Sequence, residues 1–214
     1  MPYGYLGQNQ PNQTVSNSGV FSITDVAELQ SQGKLGGSLE LIEEQTASSS
    51  STLDFTNLGN YDVHLFTGHN INMSANNQFF RARLSNDGGS SFITSSTQQR
   101  AGIRNTTTFS SDARSTTDTF FGHYLTDNSG GYGTTADNGN FYLYCYNLLN
   151  SSKYSFCTSQ STGLEQSSST YSAMFGGGVL PTAETHNAVR FLNSSTGTFD
   201  GVIKCYGVKQ IWVT

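Results

Sequence analysis

The sequence predicts an all-β protein: a two-sheet antiparallel β-sandwich, jelly-roll-like, preceded by an extended N-terminal arm and one short helix. Three observations predict it. Half of the 214 residues are Ser, Thr, Asn, Gln or Gly, a mixture rich in turn formers and poor in helix formers. The 11 Tyr and 14 Phe make up for a low aliphatic content, because each aromatic buries roughly 150–250 Å². From residue 38 onward, short runs alternate apolar and polar residues, with turn signals between them.

The elements follow in order. Residues 1–20 hold two of the three prolines and show no periodicity, so they read as an arm that is either disordered or laid against another subunit. Its apolar residues Tyr3, Tyr5, Leu6 and Val20, with Phe21 just beyond, are the anchoring candidates. Residues 22–37 carry the one helical pattern: Ser22 or Thr24 as cap, Asp25 and Glu28 in the first turn, Val26 and Leu29 on one face, Gly33 at the end. The division expected is 1–37 as anchoring segment and 38–214 as sandwich.

Within the sandwich, SLELIEEQT (38–46) is read with Leu39 and Leu41 on the buried side, and STLDFT (51–56) follows it. YDVHLFTGHNI (61–71) is read with Tyr61, Val63 and Leu65 inward. QFFRARLS (78–85) places Phe80, Ala82 and Leu84 inward and Arg81 and Arg83 outward. Asp87-Gly88 then signals a hairpin turn, with Phe92 and Ile93 starting the return strand. Residues 94–140 give weaker signals, two candidate strands and a polar loop. FYLYCYN (141–147) and KYSFCTSQ (153–160) read as a hairpin, and strands over 170–179, 188–194 and 199–208 close the fold.

Composition also excludes functions. No run approaches the roughly 20 apolar residues of a membrane-spanning helix, and MPYGYLGQNQ has neither the charge nor the apolar stretch of a secretory signal. Ten Lys and Arg against 15 Asp and Glu, without a basic cluster, give no electrostatic footprint for nucleic acid. Three Cys do not make a disulfide framework, although Cys145 and Cys157 can face each other across the predicted hairpin. His64, His69, His123 and His186 form no zinc pattern, so no metal is expected there. The Asn86–Ser90 and 127–138 oxygen clusters are explained by turn chemistry rather than calcium. Glu40, Glu43 and Glu44 read as solvated acids rather than a glycosidase pair. No catalytic residue and no cofactor is expected, and the protein is read as non-enzymatic.

One constellation remains. With Phe141, Leu143 and Cys145 inward, Tyr142, Tyr144 and Tyr146 form a row on the opposite face. Such a row can seal a subunit interface, stack against sugar rings or pack under a loop.

NSGVFSITDVAELQSQGKLGGSLELIEEQTASSSSTLDFTNL (17–58), YDVHLFTGHNI, FFRARLSNDGGSSF (79–92) and AVRFLNSSTGTFDGVIKCYGVK (188–209) resemble a group of tailed-phage virion proteins, cyanophage-like, of the tail-fibre or capsid-decoration type. The closing Gly201-Val202-Ile203-Lys204-Cys205-Tyr206-Gly207-Val208 is similar to a line that recurs in them. The resemblance implies a virion structural protein assembled in the host cytoplasm as a homo-oligomer, a trimer by preference, joined to other virion proteins through its arm. Recognition of host surface glycan is the alternative.

Overall fold

A computed structural model describes residues 23, 24, 27, 38–74, 78–126, 138–165, 170–194 and 197–209. The arm with Tyr3, Tyr5, Leu6, Val20 and Phe21, most of the 127–140 loop and the 210–214 tail lie outside the described residues. So does the expected helix, apart from Ile23, Thr24 and Ala27, which are too few to establish it.

Eleven strands are described: β1 (Leu39–Ser50), β2 (Thr52–Phe55), β3 (Val63–Met73), β4 (Phe80–Ser85), β5 (Gln98–Thr106), β6 (Ser110–Asp118), β7 (Gly139–Tyr146), β8 (Ser155–Glu165), β9 (Thr170–Leu180), β10 (Ala188–Asn193) and β11 (Phe199–Val208). They form two sheets. One has eight strands in the order β1-β11-β3-β7-β8-β9-β5-β6, the other three in the order β2-β10-β4. Beside β4, the Phe121 and Leu125 N–H groups donate to the carbonyls of Ala82 and Phe80, both at 2.9 Å. The chain forms two compact units, residues 41–208 and residues 1–40 with 209–214. In the smaller unit, Lys209 N–H donates to the Ser38 carbonyl at 2.7 Å and its ammonium pairs with Glu40 at 2.9 Å.

The sheets of the larger unit meet through phenyl rings. Phe55, Phe80 and Phe191 from the three-stranded sheet contact Phe66, Phe141 and Phe199 from the other, with centroid separations such as 5.2 Å for Phe66–Phe191 and 4.7 Å for Phe80–Phe199. Edge-on and tilted geometry suits the ring quadrupoles and adds about 0.5–1.5 kcal/mol per pair beyond area burial. Gly68 permits one of these contacts, because a Cβ there would lie 2.0 Å from Phe141 Cε1.

Several strands keep the expected parity. Phe80, Ala82 and Leu84 are fully buried, as are Ile203 and Cys205. Three expectations need correction. Leu39 and Leu41 are 42% and 51% exposed, because β1 is an edge strand and reaches the core through Ile42 and Ala47. In β3 the core-facing side is His64 and Phe66, while Tyr61 and Val63 are half-buried and Leu65, although buried, lies on the other side of the sheet; His64 enters the core because its Nε2 pairs with the Leu58 carbonyl at 2.8 Å. After the Gly88–Gly89 turn, where φ is +74° and +90°, Ile93 N–H donates to the Leu84 carbonyl at 2.8 Å. No return strand pairs with β4 there. Phe92 instead lies over the Arg190 guanidinium at 3.9 Å, and the next strand, β5, joins β9 in the other sheet.

Candidate functional site

The register of the eight-stranded sheet arranges its outward side chains in rows across the strands. One row reads Val63, Tyr146, Phe156, Val179 and Gln99 from β3 to β5. The next reads Leu65, Tyr144, Thr158, Gly177, Ala101 and Arg114 from β3 to β6, and the third Thr67, Tyr142, Gln160, Phe175, Ile103 and Asp112. The face is aromatic, and its rings are exposed among the described residues: Tyr142 is 39% exposed, Phe156 and Phe175 45%, Ile103 48% and Tyr171 51%.

The tyrosine row lies where the alternation places it, opposite Phe141, Leu143 and Cys145. Tyr142 meets Tyr144 edge-on at 5.9 Å, and Tyr144 stacks near Tyr146 at 6.5 Å. Hydroxyls tie the row to β8: Tyr142 donates to Gln160 Oε1, and Tyr146 Oη lies 3.2 Å from Thr158 Oγ1. Rings held by neighbours lose little further entropy when a partner covers them. Sequence reasoning found the tyrosines and missed Phe156, Phe175 and Tyr171, which join them through the β7–β8 and β8–β9 hairpins, and Ile103, which joins through the long-range β5–β9 pairing.

A trough crosses this face at the middle row. Gly177 and Ala101 form its floor, with Val179 on one side and Phe175 with Ile103 on the other. Gly177 must lack a side chain, since a Cβ there would come 2.3 Å from the Cys157 carbonyl oxygen. Two shallow depressions, of about 650 Å³ and 480 Å³, share Ala101 and Arg114. Arg114, paired with Asp112 through Nε at 2.9 Å, marks the β6 end.

The outer face of the three-stranded sheet is charged. Arg190 forks onto Asp54 at 2.7 and 2.6 Å, while Arg81 of β4 donates at 2.9 Å to Asp118, which ends β6 in the other sheet and also accepts from Arg100 of β5. Arg81 lies 4.5 Å from the Phe120 centroid and 4.8 Å from that of Tyr124, and Arg100 4.3 Å from Tyr124. These guanidiniums are spread against rings and carboxylates, which is how a sheet accommodates arginine with little water. His123 lies beside them, 1% exposed, with both ring nitrogens unpartnered. Burial and the neighbouring Arg100 and Arg81 push its pKa down to about 4, so it is neutral at pH 7.

One further chain of groups has residue types that hydrolases use. Ser155 Oγ lies 2.7 Å from His186 Nδ1, and His186 Nε2 lies 3.2 Å from Glu184 Oε1. Ser155 and His186 are both fully buried, so the hydroxyl has no surface to offer a substrate. The chain fastens the start of β8 to the loop before β10. No spacing in the sequence signals it.

The remaining candidates fall to turns and core. The Asp87 carboxylate accepts from Ser85 Oγ at 2.7 Å and from Ser91 N–H and Oγ at 2.9 and 2.6 Å, which holds it at about 2 and organises the turn. Among the described residues no group of three or more His, Cys, Asp or Glu is placed to hold a metal. Cys145, Cys157 and Cys205 are buried free thiols, and burial raises Cys157 and Cys205 to about 12. Glu44 pairs with Lys204 at 2.8 Å, so it serves the β1–β11 edge. No helix among the described residues is long and apolar enough to cross a membrane. No protein-family model, curated protein or solved structure matches the chain.

Proposed function

We propose that this chain is a non-enzymatic structural protein of a virus particle, and that the outer face of its eight-stranded sheet is where copies of it assemble. The exposed aromatic rows carry the reading. From β7 to β5, these three rows with the two beyond them, Asn140-Thr162-Ala173-Asn105 and Leu164-Tyr171, cover about 500 Å² at the usual strand and residue spacings. Two such faces bury about 1,000 Å², the lower bound for a specific interface. Interface cores are enriched in Tyr, Phe and Trp and depleted of charge, and this face carries its ion pair, Asp112–Arg114, at the β6 margin.

Strand order supports a finer reading of the fold as a jelly roll. β1-β11-β3-β7 in one layer and β2-β10-β4 with the 119–126 segment in the other give the interleaving of eight strands in two Greek keys. The β5–β6 and β8–β9 hairpins are then insertions that widen one layer and create the aromatic face. Jelly rolls are common in capsid and lectin domains, and the phage-like stretches at 17–58 and 188–209 favour the former. A homo-oligomer, a trimer by that resemblance, with the arm bearing Tyr3, Tyr5, Leu6, Val20 and Phe21 seated on other virion proteins, completes the proposal.

Light scattering on the full chain tests it. The native protein elutes as an oligomer, and Phe175→Asp converts it to a monomer with an unchanged far-ultraviolet spectrum. A wild-type monomer at micromolar concentration refutes the assembly role. The exposed rings favour one second reading, a glycan-binding face, because Gln160 lies between Tyr142 and Phe175 in the third row. In that case Tyr142→Ala weakens retention on host polysaccharide and leaves the oligomeric state alone.

A further inference from the structure

Arg83 stands out on the opposite face of the molecule. On the three-stranded sheet Asp54 serves Arg190, and Asp118 from the end of β6 serves Arg81 together with Arg100 of β5. No acidic side chain among the described residues pairs with Arg83. It lies directly opposite Arg190 in the β4–β10 register, and its Nε is buried without an acceptor. Its guanidinium rests 4.3 Å from the Phe120 centroid, and Phe92 covers Arg190 at 3.9 Å. Like charges directly opposite on neighbouring strands destabilise a sheet, and a partly desolvated guanidinium lacking an acceptor adds to that cost. A chain of net charge −5 with ten basic residues nevertheless places two arginines side by side here.

We propose that Arg83, with Arg190 beside it and the Phe92 and Phe120 rings as walls, is a binding site for an oxyanion: a carboxylate, sulfate or phosphate group. The Arg83 fork offers parallel N–H donors of the geometry such groups accept. Arg190 uses Nε and Nη2 on Asp54, so its Nη1 remains for the ligand. The two rings keep water from the sides of the site, which strengthens each charged hydrogen bond. A bound anion relieves the Arg83–Arg190 repulsion, and binding therefore stabilises the fold. The site lies on the sheet opposite the aromatic rows and does not depend on the assembly reading.

Thermal unfolding of the full chain tests the proposal, at matched ionic strength in chloride, acetate, sulfate or phosphate. At least one oxyanion raises Tm saturably over chloride, as a ligand bound only by the native state must. The acetate arm reports a planar carboxylate site, and the sulfate and phosphate arms a tetrahedral one. Arg83→Gln abolishes that increment and leaves Tm in chloride equal or higher, because a like-charge pair is gone. Arg83→Lys, which keeps the charge and loses the fork, weakens the apparent affinity about tenfold or more. Equal increments in wild type and Arg83→Gln, or no saturable increment with any of the three anions, overturn the proposal. Oligomeric state is unaffected in every arm.

Discussion

The imidazole of His123 fills the space directly over Gly102: a Cβ on that glycine would lie 2.4 Å from His123 Cδ2. Gly176, opposite Gly102 in the β5–β9 register, is blocked by the same ring at 2.6 Å. Two strands thus give up side chains to seat one histidine, and the 119–126 segment is fastened to β5 and β9 at this point.

Adding a methyl group here forces either the ring or the strand to move. Gly102→Ala is expected to destabilise the protein by about 1–3 kcal/mol, the usual range for overpacking. Ala101→Gly, one residue away and on the outward face, removes no buried contact and costs about 1 kcal/mol or less. Urea unfolding of the two variants checks the contrast. Similar midpoints for both would show that His123 does not occupy this space.

Acid should loosen the same point. Burial, Arg100 and Arg81 lower the His123 pKa to about 4, with Asp118 opposing them, and burial also lowers His64 and His186. An unfolded imidazole titrates near 6.5, so between those values the unfolded chain binds the extra proton. The stabilisation is therefore complete above about pH 6.5 and is lost as the pH falls toward 4. For His123 alone it is on the order of 3 kcal/mol. Denaturation midpoints at pH 7, 5.5 and 4.5 are expected to fall in that order, and His123→Gln to flatten the trend. A midpoint independent of pH over this interval contradicts the burial of these rings.

How much of this was legible depended on the residues. In β4 the clean alternation of Phe80, Ala82 and Leu84 against Arg81 and Arg83 fixed which face went inward, and the tyrosines of β7 followed from Phe141, Leu143 and Cys145. In β3 both faces are apolar: Leu65 is buried on the outer side among tyrosines while Phe66 enters the core, so alternation could not decide between them. QQRAGIRNT and SSDARSTTD lack an aliphatic stripe, because the inner face of β5 carries Arg100 and a glycine beneath a histidine. The β5–β9 part of the aromatic face and the arginine cluster are assembled by pairings between residues far apart in the chain, which local periodicity does not encode.

The two aspartates that hold arginines of the three-stranded sheet, Asp54 in β2 and Asp118 at the end of β6, should differ in worth. Asp118 is 10% exposed and holds Arg81 and Arg100, which are 4% and 11% exposed. Asp118→Asn leaves two buried guanidiniums with no carboxylate and is expected to cost about 3–5 kcal/mol. Asp54 and Arg190 are each about 30% exposed, and water replaces the lost partner in Asp54→Asn, for a cost near 1 kcal/mol or less. Calorimetric Tm values for the pair decide it. An equal loss in both variants would mean that the Asp118 site is hydrated.

The thiols give an independent measure of how tightly the sheets close. Cys145 and Cys157 are cross-strand partners in β7 and β8, and Cys205 lies in β11; all three are buried. Burial raises Cys145 well above the usual thiol range and brings Cys157 and Cys205 to about 12, so almost no thiolate exists at neutral pH. The thiolate is the reactive form, and a reagent must also wait for the sheet to open. Modification at pH 7.5 is therefore expected to be negligible in the native protein and to reach three thiols per chain in denaturant. In intermediate urea all three should react together, because one cooperative opening of the core exposes them. Mass spectrometry of the labelled chains counts them. Rapid single labelling without denaturant would instead show that the β7–β8 hairpin opens independently of the core.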